Sequence, residues 1–210
     1  MWYSVRTELI AMAQSIPLMV HHAGRPYGPL LFASDAKGSD EHDNGSYGIA
    51  VTNLLKGETH LIQTLGEAPS YSIARVNGDL SGLCQRVAPL NPTIPRSRLP
   101  ASFTTASRWR PCLFGYWDFA DHITLGEART VVKLMRLIVS FGSLHQHIHP
   151  SLQDNFPVAC VWAKGRSSSW ALNRVARQAS GLGLAAGIRM VLPWVESERQ
   201  PADGISRGKW

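Results

Sequence analysis

Four acidic residues hold the chemistry this chain can offer. Asp35, Glu127, Asp154 and Asp203 are widely separated in 210 residues, so only a fold can gather them. Mg²⁺ is a hard cation that demands oxygen ligands and keeps several waters, which makes Asp and Glu its fitting protein partners. Two such ions held by converging carboxylates can clamp the attacking and leaving oxygens of a phosphodiester. Carboxylates brought that close without a cation repel and raise one another's pKa, so a gathered set makes sense chiefly around metal. Each acid also has a plainer reading. Asp35 can close a strand as a turn residue, and Glu127 can complete a T-x-x-E capping box with Thr124. Asp154-Asn155 can be a turn, and Asp203 a helix N-cap.

Periodicity supplies the elements that would have to position them. Leu30 to Ala33 is an apolar run that reads as a buried strand ending at Asp35. Ser46 to Thr52 reads as a second strand, and Asn44-Gly45 marks a turn, so the two form a hairpin with a long tip. Leu113 to Phe119 is aromatic-rich and strand-like. Thr124 opens a helix with an apolar stripe at Leu125, Ala128, Val131, Val132, Met135 and Ile138, with Glu127 at its third position and Gly142 as C-cap. A strand runs to Asp154, and a helix or turn begins over Ala159 to Ala163. KGRSSSWALNRVARQASGLGLAAG is a further helix with a Ser N-cap and with Arg174 and Arg177 outside. IRMVLPWV is the last strand, and a short terminal helix starts near Pro201. Residues 1–29 are an N-terminal helix, ended or kinked at Pro17, and a connection. Residues 30–210 form one domain with a long insert at about 56–111. Within the insert, LKGETHLIQTLGE reads as a further strand or hairpin, and VAPLNPTIPRSRLPASF is proline-rich and extended. Hairpin strands together with helix-separated strands predict a mixed α/β sheet.

Four segments in order carry a family likeness: FASDAKG at 32–38, HITLGEARTVVKLM at 122–135, QDN at 153–155 and RQPADGISR at 199–207. With them, the chain resembles the ribonuclease H domain of retroelement reverse transcriptases, in particular the kind found in DIRS-like, tyrosine-recombinase retrotransposons. The likeness covers roughly residues 17–55 and 112–207. It implies a ribonuclease H-like α/β fold, a mixed five-stranded sheet flanked by helices. It implies that Asp35, Glu127, Asp154 and Asp203 are the catalytic metal ligands, holding two Mg²⁺ or Mn²⁺ ions. The implied activity is cleavage of the RNA strand of RNA–DNA hybrids, and the implied partners are that hybrid or another nucleic acid and a reverse transcriptase polypeptide. The alternatives are a catalytically inactive nucleic-acid-binding remnant and a strand-transferring integrase of the same fold. Four features depart from the family pattern. Lys37 follows the "DA" of the first motif, Gly204 stands inside the last, the stretch from Asp35 to Glu127 is long, and WVESERQPAD lacks a histidine.

The formal charge of +6 and pI near 9.5 are compatible with a polyanionic partner. Arg129 and Lys133, with Arg136, make one helix flank basic. Lys164, Arg166 and Arg174, with Arg177, add further cations that could meet phosphates, and Ser167 and Asn155 could meet sugar or phosphate. Trp109, Trp117 and Trp162 read as core or as stacking platforms. Asp40, Glu41 and Asp43 read as a solvated hairpin tip, and His145, His147 and His149 alternate as on a strand face. Three cysteines without a CxxC pair argue against a structural zinc site or a disulfide framework and predict an intracellular setting, cytoplasm or nucleus. No apolar run approaches a membrane span, and no G-x-x-x-x-G-K-[ST] loop is present.

Overall fold

A computed structural model describes residues 3–15, 24–41, 43–65 and 99–209. Cys84 and most of the proline-rich stretch lie outside the described residues. The chain folds as an α/β protein around a five-stranded mixed sheet. Its strands are β1 (Leu30–Lys37), β2 (Ser46–Asn53), β3 (Arg110–Tyr116), β4 (Ile148–Leu152) and β5 (Arg189–Val191), in the order β3-β2-β1-β4-β5. β1 pairs antiparallel with β2, β2 antiparallel with β3, and β4 lies parallel to both β1 and β5. This order and these senses are those of a ribonuclease H-like sheet.

The hairpin forms where expected, and Gly45 at its tip has φ of 87°, a conformation open to a residue without Cβ. β1 runs past the expected boundary. Asp35 is the sixth of its eight residues and pairs with Gly48, so its carboxylate stands on the sheet and not in a turn after it. β3 starts at Arg110, earlier than its aromatic residues suggest. It is an edge strand, and Pro111 enters it at a register shift opposite Ile49 and Ala50, where a missing N–H is tolerated. The last strand is cut to three residues. After Val191 the chain continues beside β4 only through Gln153, which exchanges backbone bonds with Pro193 and Val195.

Helices cover both faces. On one side α3 (Ile123–Val139) buries Ala128, Val131, Leu134, Met135 and Ile138 against Phe32 and Ile49, backed by α4 (Phe156–Lys164) and α5 (Trp170–Ala186). Val131, Leu134, Met135 and Ile138 each contribute roughly 1.5–3 kcal/mol by leaving water, so this stripe is what fixes α3 on the sheet. The helix begins differently from the expectation. His122 is its N-cap and accepts from the Thr124 N–H, so the Thr124–Glu127 capping box does not form and Glu127 is the fifth helical residue. At the other end Ser140, not Gly142, is the C-cap, and Gly142 opens a 3₁₀ turn.

The second face is covered by α6 (Asp203–Ser206) and by parts of the insert. LKGETHLIQTLGE is not a strand: α2 spans Lys56–Leu65, capped by Glu58, which accepts the Leu55 N–H at 3.1 Å. Burial of Glu58 and Ile62, four residues apart, follows the helical repeat. Leu99 and Phe103 insert into a core made with Leu31, Ala33, Ala50, Leu152, Val191, Ala202 and Ile205. Arg108 ties this segment down through both oxygens of Glu58 and the Asn53 carbonyl. Helix α1 (Tyr3–Ser15) lies on the outside, with its apolar Val5, Leu9, Ile10 and Met12 exposed. Among the described residues no helix is long and apolar enough to cross a membrane.

Candidate metal centre

The chain leaves β1 toward β2 and leaves β4 toward α4, in opposite directions along the sheet. Where connections of neighbouring parallel strands diverge, a crevice opens at their carboxyl ends, and ligands in α/β sheets bind there. Three of the four acids meet in that crevice. Asp35 comes from β1, Asp154 follows the end of β4, and Glu127 reaches in from the first turns of α3. One carboxylate oxygen from each lies within 4.8 Å of the others. Asp35 and Glu127 are buried, only 4% exposed each.

Neighbouring polar groups aim these side chains. Gln153 donates from Nε2 to Glu127 Oε2 at 3.0 Å, and the Ala36 N–H donates to the same carboxylate. Gln153 is held in turn by Ser34, whose hydroxyl donates to its Oε1 at 3.3 Å. Ser206 on α6 donates to Asp35 Oδ2, and Ser46 donates to the Ser206 carbonyl. The Gln200 side-chain amide donates to Ser34 O at 3.2 Å and to Leu152 O at 3.4 Å, closing the gap between β1 and β4 below the acids. Trp194 donates to the Asp154 carbonyl at 2.8 Å, which pins that backbone while leaving the side chain free to serve as a ligand.

Burial dominates the electrostatics. It pushes the Asp35 carboxyl up to about 7, assisted by the charges of Asp154 and Asp203 and opposed by the Ser206 hydroxyl. Burial likewise drives Glu127 well above the ordinary carboxylate range, with Asp35 and Asp154 adding repulsion. Asp154 Oδ1 is buried without a hydrogen-bond partner. An orphaned carboxylate oxygen, three converging carboxylates and an all-oxygen donor set fit a hard divalent cation.

Asp203 joins less closely. It is the first residue of α6, whose N-cap is Ala202, and its Oδ1 is paired with Arg207 Nε at 2.8 Å. Lys37, which stands beside the site in sequence, turns to the hairpin tip, where it pairs with Asp40 at 2.9 Å and Asp43 at 2.7 Å. That pairing keeps its charge off Asp35 and gives the acidic tip a partner.

The remaining sequence candidates are scattered around the molecule. Asn155 is the N-cap of α4 and accepts the Val158 N–H. Lys164 and Arg166 are exposed, and the exposed Arg174 lies over the Trp170 ring at 5.8 Å. Ser167 is locked to Asn173 through backbone bonds in both directions. Arg177 pairs with Glu8 on α1. Arg129 and Lys133 are half-buried: Arg129 pairs with Asp121 and lies over Phe119, and Lys133 lies over the adjoining, mutually tilted Tyr47 and Trp117 rings. Trp109 and Trp162 pack against the two cores. The histidines do not share a strand face. Only His149 is in β4, and the three rings bond to three different carbonyls, of Val139, His145 and Leu144.

Four residues of the site were missed in sequence reasoning: Gln153, Ser206, Gln200 and Gly48. Gln153, Gln200 and Ser206 lie inside the quoted QDN and RQPADGISR segments, so position within the motif was an available signal. Gly48 is legible only in three dimensions. A Cβ there would strike the Ser206 nitrogen and come within 2.8 Å of the Ile205 carbonyl carbon. Its absence lets α6 dock on β2 directly across from Asp35. Gly48→Ala is expected to lower stability by about 1–3 kcal/mol, the usual cost of overpacking, and to loosen Ser206 from Asp35. Urea denaturation measures the first effect. An Ala variant as stable as the native chain would show that α6 does not need this approach.

No protein-family model matches the chain, and no curated protein sequence matches it. Fold and site together define a ribonuclease H-like α/β protein with a buried group of three acidic residues that could bind a metal ion.

Proposed function

We propose that this chain is a metal-dependent endonuclease of the retroelement ribonuclease H kind, cutting the RNA strand of RNA–DNA hybrids alongside a reverse transcriptase polypeptide. The observation that carries the reading is the convergence of Asp35, Glu127 and Asp154 at the carboxyl ends of β1 and β4, with one buried Asp154 oxygen unpartnered. Asp35, Glu127 and Asp154 would hold Mg²⁺ or Mn²⁺, with Asp203 completing the coordination. Bound divalent ions supply a lowered pKa for the attacking water and charge compensation for the leaving oxygen. The chain's own contribution is orientation. Gln153 turns Glu127 toward the crevice, and Ser206 turns Asp35 toward it. Burial of Asp35 and Glu127 limits the bulk water that competes for their carboxylates. Exposed Lys164, Arg166 and Arg174 supply cations for phosphates, contacts that position a duplex without reading its sequence. A hybrid is selected by its A-like shape and its 2′-hydroxyls.

The test is a strand-labelled nicking assay. With Mg²⁺ or Mn²⁺ the RNA strand of a hybrid is cut, excess chelator stops the reaction, and a DNA duplex of the same sequence survives. A chain that binds the hybrid but never nicks it is the inactive remnant. One that processes DNA ends instead is a strand-transfer enzyme.

A further inference from the structure

The fourth acid poses a problem that the nuclease reading does not answer. Asp203 is near enough to Asp35 to raise its pKa, yet it is not part of the group whose ligand oxygens converge within 4.8 Å. What holds its carboxylate is Arg207, four residues on, with Nε 2.8 Å from Oδ1. The same guanidinium feels Asp35 and Asp154, and all three acids favour its charged form. A cation from the chain itself therefore pairs with the fourth acid at the outer edge of the site.

The surroundings allow that cation to leave. Its side chain and that of Asp203 are about half exposed, 53% and 44%, and exposed ion pairs are weak restraints that salt and competing ions loosen. α6 has only four residues, with Gly204 directly after Asp203 and Gly208 directly after Arg207. By contrast, Ile205 and Ser206 are fixed by the second core and by Asp35 and Ser46. α6 is anchored through its last two residues, while the side chains of the Asp203–Arg207 pair stay half exposed.

We infer that Arg207 is a positioning residue, an internal counter-cation that keeps Asp203 out of the metal centre until a second divalent ion displaces it. The inference rests on the nuclease reading for the identity of the site, and it adds an order of filling: Asp35, Glu127 and Asp154 take the first ion, and the second competes with Arg207 for Asp203. Such a device lowers affinity for the second ion and leaves a freed guanidinium beside the place where a phosphate would sit.

The experiment is calorimetric titration of Mn²⁺, without nucleic acid, into the full chain and three variants. Arg207→Gln is expected to tighten the weaker of two binding events about fivefold, which corresponds to roughly 1 kcal/mol. Arg207→Lys, which keeps the charge, is expected to stay close to the native chain. The double variant Arg207→Gln with Asp203→Asn is expected to lose the gain. Circular dichroism melts of each variant confirm that it is folded. If the native chain binds Mn²⁺ and Arg207→Gln binds it no more tightly, the counter-cation inference is overturned while the metal centre stands. A gain that survives in the double variant overturns it too, since Asp203 would then not be the group in contention. If the native chain binds no Mn²⁺ at all, the nuclease reading fails and takes this inference with it.

Discussion

Asp154→Asn is expected to lower hybrid nicking by about 10³-fold or more, a loss of at least roughly 4 kcal/mol of transition-state stabilisation, with little change in thermal stability. The separation of the two effects follows from where the contacts lie. Trp194 bonds to the Asp154 carbonyl, which Asn retains, and Oδ1 has no partner to lose. The substitution removes a charge from the acid group while keeping its volume and backbone anchor. If the site holds cations, that charge is what holds them, and Mn²⁺ affinity falls with the nicking rate. A nicking gel, a Mn²⁺ titration and a melt on one preparation decide the matter. Native and variant chains equally active would remove Asp154 from the reaction. Both inert on every substrate would favour the remnant.

The elements were legible wherever hydrophobic period and turn chemistry agree. Leu30 to Ala33, Ser46 to Thr52 and the stripe from Leu125 to Ile138 each became a strand or helix close to the expected place, since burial on one face enforces the period. What misled is local chemistry overruled by tertiary context. Thr124 and Glu127 have the spacing of a capping box, but Glu127 turns into the crevice, where Gln153 donates to it, and His122 caps the helix instead. The segment after Asn53 is too short and mixed for its period to be decisive. Its helix is fixed by Arg108, fifty residues away, which grips Glu58, a contact invisible in a linear reading. Convergence was expected of four acids from their motif settings; three meet, and Asp203 stands apart, paired with Arg207. The supports of those three were not expected, because Gln153, Gln200 and Ser206 act by reaching across strands, and Gly48 acts by what it lacks.

Asp35→Asn is expected to stabilise the chain in chelator at pH 8, by about 2–4 kcal/mol, while removing its response to Mg²⁺. The sign comes from proton linkage. The Asp35 carboxyl titrates at about 7 in the folded chain, chiefly through burial, against an ordinary value of 3.8. Between those two values the folded state binds more protons than the unfolded state, so stability falls as pH rises from about 4 to about 7. Each unit of displacement corresponds to about 1.36 kcal/mol, and relaxation of the crevice reduces the total. Glu127, raised in the same direction, adds to the slope. Asn carries no charge to bury and can still accept the Ser206 hydroxyl. Its advantage is greatest above pH 7 and fades as acid protonates the native carboxyl. With Mg²⁺ present the order of stability narrows or reverses, because the ion stabilises ionised Asp35 and has less to bind in the variant. Thermal melts from pH 4 to 8, with chelator and with Mg²⁺, give the whole surface. A native chain whose melting point rises steadily toward pH 8 in chelator would mean that Asp35 and Glu127 are not held in this repulsive proximity, and with that the metal centre itself would lose its electrostatic reason to exist.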